Sequence, residues 1–146
     1  MNSMPWKAQN ARRVAMNVFA VLLITYAIGA SSQEVKVALS GNQEIPPVTT
    51  SASGTGTITV NADRTVAGNV TITGMSATVA HIHEAAAGAN GLIVIPLIRT
   101  ADNQWSLPPG TRLTEPQYES FKAGKLYFNI HSEAYRSGEI RGQIKP

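Results

Sequence analysis

The stretch Leu126-Tyr127-Phe128-Asn129-Ile130-His131, followed after a short connection by Gly138-Glu139-Ile140-Arg141-Gly142-Gln143-Ile144, decides the fold. Each half alternates with period two, the spacing that sends successive side chains to opposite faces of a strand. Leu126, Phe128 and Ile130 share one face of the first strand, and Tyr127, Asn129 and His131 share the other. In the second strand, Ile140, Gly142 and Ile144 oppose Glu139, Arg141 and Gln143. Residues 132–137 are then left to close a hairpin. Glu139 and Arg141 become same-face neighbours, within reach of an ion pair worth at most about 1 kcal/mol if exposed. A buried guanidinium at Arg141 has stronger uses, on a carboxylate or on turn carbonyls. Gly142, without a side chain, is expected to admit a close neighbour such as Tyr127 or an imidazole.

The same alternation extends towards the N-terminus. Runs at 35–39, 56–60, 65–72, 78–83 and 92–98 are rich in β-branched residues and are separated by Gly, Pro and Asn, so with 126–131 and 139–144 they predict an antiparallel all-β sandwich or barrel. Residues 92–98 are apolar apart from Pro96, the pattern of a strand covered on both faces, although the proline places it near an edge or a bulge. One short helix is predicted before the C-terminal hairpin. Thr114 and Gln117 have capping-box spacing, Pro116 suits a first turn, and Gly124 is placed to end the helix. Tyr118 and Phe121 lie on one face of that helix and are expected to pack it onto the sandwich.

Residues 1–32 have a different character. Lys7, Arg12 and Arg13 precede an apolar run from Val14 to Ile28, and small residues follow at Gly29, Ala30, Ser31 and Ser32. This is the pattern of a signal peptide, with cleavage between Ala30 and Gln33, and it leaves a single domain over 33–146. Export makes the protein secreted or periplasmic. It would touch a membrane only through an uncleaved leader. The arginine pair is a poor match to a twin-arginine signal.

The nine acidic residues all lie at Glu34 or later, whereas three of the twelve basic ones lie in the leader, so residues 33–146 carry a formal net charge of zero. The alkaline isoelectric point therefore belongs to the leader, and nucleic acid is excluded as a partner for want of a basic surface. The chain has no cysteine, which rules out thiolate metal sites, thiol catalysis and disulfides.

The three histidines fall in two strand segments. In Ala80-His81-Ile82-His83-Glu84, His81 and His83 point the same way, so two imidazoles two residues apart can converge on one copper or zinc ion. His131 joins them if the two strands approach. Glu84 and Glu133 are candidates either to supply a carboxylate or to fix an imidazole tautomer, and both also read as turn charges.

These residues carry a family resemblance. The chain resembles the CHRD domain through Leu39-Ser40-Gly41-Asn42-Gln43-Glu44-Ile45-Pro46-Pro47-Val48, through Ala80-His81-Ile82-His83-Glu84 with Gly88, Asn90 and Gly91, and through the C-terminal stretch quoted above. It departs from the family at Leu92, where proline is common after the glycine. The resemblance implies an immunoglobulin-like β-sandwich and says little about activity. A looser similarity to copper-zinc superoxide dismutase rests on the His-x-His-Glu segment. It lacks the further histidines and the aspartate which that enzyme's bridged metals require.

Two functions follow for the exported chain. One is a non-catalytic module binding an extracytoplasmic protein or ligand, with a single copper or zinc held by His81, His83 and His131. Tyr127, Asn129, Glu139 and Arg141 support the site together with Glu84 and Glu133. The alternative is a small copper-dependent redox enzyme. No serine with a positioned base, no separate carboxylate pair and no phosphate-binding loop is present in the sequence, so no catalytic residue is assigned and the module reading is preferred.

Overall fold

A computed structural model describes residues 32–146, and the leader expected at 1–32 therefore lies almost wholly outside the described residues. The described chain is an antiparallel β structure with one short α-helix, as predicted. Its nine strands are β1 (Ser32–Ser40), β2 (Ser53–Asn61), β3 (Val66–Thr73), β4 (Ala77–Glu84), β5 (Leu92–Pro96), β6 (Ile98–Ala101), β7 (Gln104–Ser106), β8 (Leu126–Ser132) and β9 (Ile140–Ile144). They run in the order β5-β4-β8-β9-β1-β2-β3-β7-β6. β1 and β9 meet through a single registered pair, Ser40 with Arg141. That narrow seam divides the ribbon into two layers, β5-β4-β8-β9 and β1-β2-β3-β7-β6.

Period-two alternation explains how the layers pack. Val35, Val37 and Leu39 of β1, Ile58 and Val60 of β2 and Val70 and Ile72 of β3 turn inward. They meet Ala80 and Ile82 of β4, Leu126, Phe128 and Ile130 of β8, and Ile140 and Ile144 of β9 in one core. Burying a side chain of this size contributes about 1.5–3 kcal/mol, so the core can hold the fold without disulfides. Gly142 does leave room for a close neighbour, but not for Tyr127 or an imidazole. A Cβ there would lie 2.6 Å from Val37 Cγ1 and 2.7 Å from the Ala38 carbonyl. The missing side chain lets β1 cross over β9 at the seam.

Residues 92–98 lie at an edge, as Pro96 predicts, but are not covered on both faces. The run breaks at Leu97 into β5 and β6, and β5 is an edge strand with Leu92 83% and Ile93 52% exposed. Pro96 cannot donate to a ladder, so the segment ends where a two-sided strand would have continued. β6 and β7 escaped prediction because they are short and polar, with Trp105 the one residue of β7 sent into the core.

The helix α1 (Glu115–Lys122) begins with the predicted capping box. The Thr114 hydroxyl accepts from the Gln117 backbone N–H at 3.3 Å, and the Gln117 side chain accepts from the Thr114 N–H at 2.9 Å. Gly124 follows with φ +67°. Phe121 is buried, and the Tyr118 ring stacks on it with centroids 6.4 Å apart. Among the described residues no helix is long and apolar enough to cross a membrane.

Candidate metal centre

The outer face of β4-β8-β9 should be wet by periodicity alone, yet every residue of β8 is buried. Three connections account for this: the 85–91 turn, the loop after β1, and the 133–138 turn each fold over the face. Strand register arranges the side chains beneath them in rows. His83 lies opposite Tyr127, and Tyr127 opposite Gln143; His81 lies opposite Asn129, and Asn129 opposite Arg141; Val79 lies opposite His131.

The rows bring the three histidines together, each offering a ring nitrogen within 4.8 Å of the others. Nitrogens sharing one ion stand about 3.4 Å apart at the usual metal–nitrogen lengths, so small side-chain shifts close the set. Backbone carbonyls fix two of the tautomers. His83 Nδ1 is 3.0 Å from the Gly91 carbonyl, and His131 Nδ1 is 3.0 Å from the Arg136 carbonyl. A carbonyl only accepts, so both Nδ1 atoms carry the hydrogen and both Nε2 atoms present a lone pair. The His83 Nε2 is buried and meets no hydrogen-bonding protein atom. His131 Nε2 accepts from His81 Nδ1 at 3.1 Å. Burial holds all three rings below the ordinary imidazole pKa. His81 falls to about 4 through desolvation and then through its histidine neighbours. Neutral imidazole is the ligating form, and carbonyl-anchored Nδ1–H groups are the usual outer support of metal-bound histidine.

Around this group the predicted supporting residues separate. Tyr127 stacks with His83 at 5.1 Å and 15° between planes, and the Arg141 guanidinium lies 3.5 Å from the same ring's centroid. Because β8 runs between β4 and β9, His83 and Arg141 approach the tyrosine from opposite flanks. Tyr127 also accepts from the Gly91 N–H at 3.1 Å. Arg141 is 1% exposed and donates to the carbonyls of Ala89 at 2.8 Å and Ala86 at 3.4 Å and to the Gln143 side chain at 2.9 Å. It therefore pins the 85–91 turn. The ion pair expected between Glu139 and Arg141 is not formed, because the guanidinium is committed to that turn while Glu139 accepts from the Thr50 hydroxyl at 2.7 Å. Asn129 donates to Glu44 and to the Ile140 carbonyl. Glu84 is turned to Ser120 of α1, and Glu133 pairs with Arg136 at the surface. Neither carboxylate joins the three imidazoles.

Two contributors had no role assigned from sequence. Glu44, 5% exposed, carries a raised pKa because burial outweighs its bond to Asn129 and the pull of Arg141. Gly91 holds both His83 and Tyr127 through its backbone, and a Cβ on it would lie 1.8 Å from the Glu84 carbonyl oxygen. Both residues fall inside the motifs quoted above, which mark their positions without revealing their partners.

A family model described as CHRD domain matches residues 35–144, nearly the whole of the described structure. No curated protein and no solved structure matches the chain.

Proposed function

The chain belongs to the CHRD domain family, and from that premise we propose that it is an exported, non-catalytic binding module that holds one copper or zinc ion through His81, His83 and His131. Membership of the family supports a non-catalytic module of extracellular type. The observation that carries the metal reading is the convergence of three neutral imidazoles, two of them oriented by backbone carbonyls, with the buried His83 Nε2 left without a partner. An unpaired buried acceptor costs about 1–3 kcal/mol, and an ion bound at that nitrogen removes the cost. An extracytoplasmic protein or ligand would meet the loops that gather over the histidines. The leader pattern of residues 1–32 supports export to the periplasm or the medium.

Calorimetric titration of the metal-stripped protein tests the reading. The wild type is expected to bind one equivalent of copper or zinc, and His81→Ala to lose most of that affinity while keeping its fold, since His81 bonds only to His131. Binding weaker than about millimolar, or equal binding by both proteins, refutes the site. A redox enzyme built on the same ligands would turn over superoxide or peroxide when loaded with copper. The module reading expects no turnover.

A further inference from the structure

Resting on the three-imidazole reading above, we infer that the site selects singly charged copper, Cu(I), over zinc and over cupric copper. Charge sets the preference. Every candidate ligand atom is a neutral nitrogen, and each nearby carboxylate is occupied elsewhere: Glu84 by Ser120, Glu133 by Arg136, Glu139 by Thr50 and Glu44 by Asn129. Among the described residues, no anionic side chain belongs to the ligand group. The cation that is present works the other way. Arg141, fully buried, lies against Tyr127, and the opposite flank of that ring meets His83.

Dehydrating an ion grows with the square of its charge, and its repulsion by Arg141 grows in proportion to that charge, so both effects penalise a dication more than a monocation. A dication held by neutral imidazoles alone keeps its full charge unless a bound hydroxide offsets it, and no carboxylate or thiolate belongs to this ligand group. Coordination number points the same way. Zinc held by three imidazoles must recruit a water as its fourth ligand, whereas a filled-shell monovalent copper ion is satisfied by two or three imidazoles. Two of the nitrogens are held in place by backbone carbonyls, and His81 needs only to release His131 to supply the third.

The test is a pair of competition titrations on the purified protein, anaerobically against a cuprous chelator and separately against a zinc chelator, with cupric ion followed by calorimetry. Cu(I) is expected to bind at least about 100-fold more tightly than Zn(II). Val79 lies opposite His131, shares a strand face with His81 and is 44% exposed, so V79E adds a carboxylate beside the ligands at a position that tolerates charge. It should narrow the gap between the two ions by about tenfold or more. Zinc binding as tight as cuprous binding, or a gap unchanged by V79E, overturns the selectivity while leaving the three-imidazole site standing. Failure to bind either ion, or binding insensitive to H81A and H83A in variants that still melt cooperatively, removes the site and the selectivity with it.

Discussion

Replacing Gly91 by alanine drives a methyl group into the backbone of β4. The new Cβ would lie 1.8 Å from the Glu84 carbonyl oxygen and 2.5 Å from its carbon, and neither is the movable end of a side chain. The turn must retreat by about 1.5 Å to restore ordinary contact, an overpacking strain of about 1–3 kcal/mol. Retreat also breaks the bond from His83 Nδ1 to the Gly91 carbonyl and the bond from the Gly91 N–H to Tyr127, at about 1 kcal/mol each. The expected loss is about 3–5 kcal/mol, or about 12–20 °C in melting temperature for a domain of this size. A suitable control is Gly88→Ala in the same turn, where nothing lies within 4 Å and only the positive φ of +83° is strained. That variant should lose about 1–2 kcal/mol and retain metal affinity. Thermal melts and metal titrations of both variants decide the matter. If Gly91→Ala melts within about 2 °C of the wild type and binds metal as well, then Gly91 does not couple the turn to His83.

Three further outcomes follow from the buried polar face. Arg141→Met should cost about 2–4 kcal/mol in urea unfolding because it strips the Ala86 and Ala89 carbonyls of their donor, and Arg141→Lys should recover only part of this for want of a planar fork. In metal-free buffer, burial depresses the folded-state pKa of all three histidines, so the unfolded chain binds more protons below about pH 6.5. Their contribution is whole above that pH and is lost as pH falls towards the His81 value of about 4, and melts of His81→Gln across this window should show a shallower decline. Glu44 has the opposite sign. Its raised pKa means the ionised form is disfavoured in the fold, so Glu44→Gln, which keeps an acceptor for Asn129, should be at least as stable as the wild type at pH 7 by chemical denaturation.

The inward half of the fold was legible in the sequence because alternation reports directly on burial. Spacing puts Leu126, Phe128 and Ile130 on one face and Ile140 and Ile144 on one face, and these are the faces that enter the core, while Thr114, Gln117 and Gly124 bound the helix. The outward half was less legible. Tyr127, Asn129 and His131 were correctly set on the polar face of their strand, but nothing local announces that three connections fold over that face and bury it. The Arg141 side chain illustrates the limit. Its neighbour in sequence pattern was Glu139, whereas its actual partners lie some fifty positions away in the 85–91 turn, a choice made by tertiary packing. Residues 92–98 misled for a related reason: an apolar run reports hydrophobicity but not whether a neighbouring strand exists to cover it.

The backbone of Arg141 pairs with Ser40 where the two layers join, while its side chain grips the turn that carries Gly91. For protein engineering, this divides the molecule into parts that can be exchanged and parts that cannot. The tip of the β6–β7 hairpin, Asp102 and Asn103, makes none of the bonds that hold the histidines, so foreign sequence inserted there should leave the site alone. A graft into the 85–91 turn must instead reproduce the carbonyls at 86 and 89, because a replacement that withdraws them would loosen the same residue on which the two halves of the sandwich are hinged.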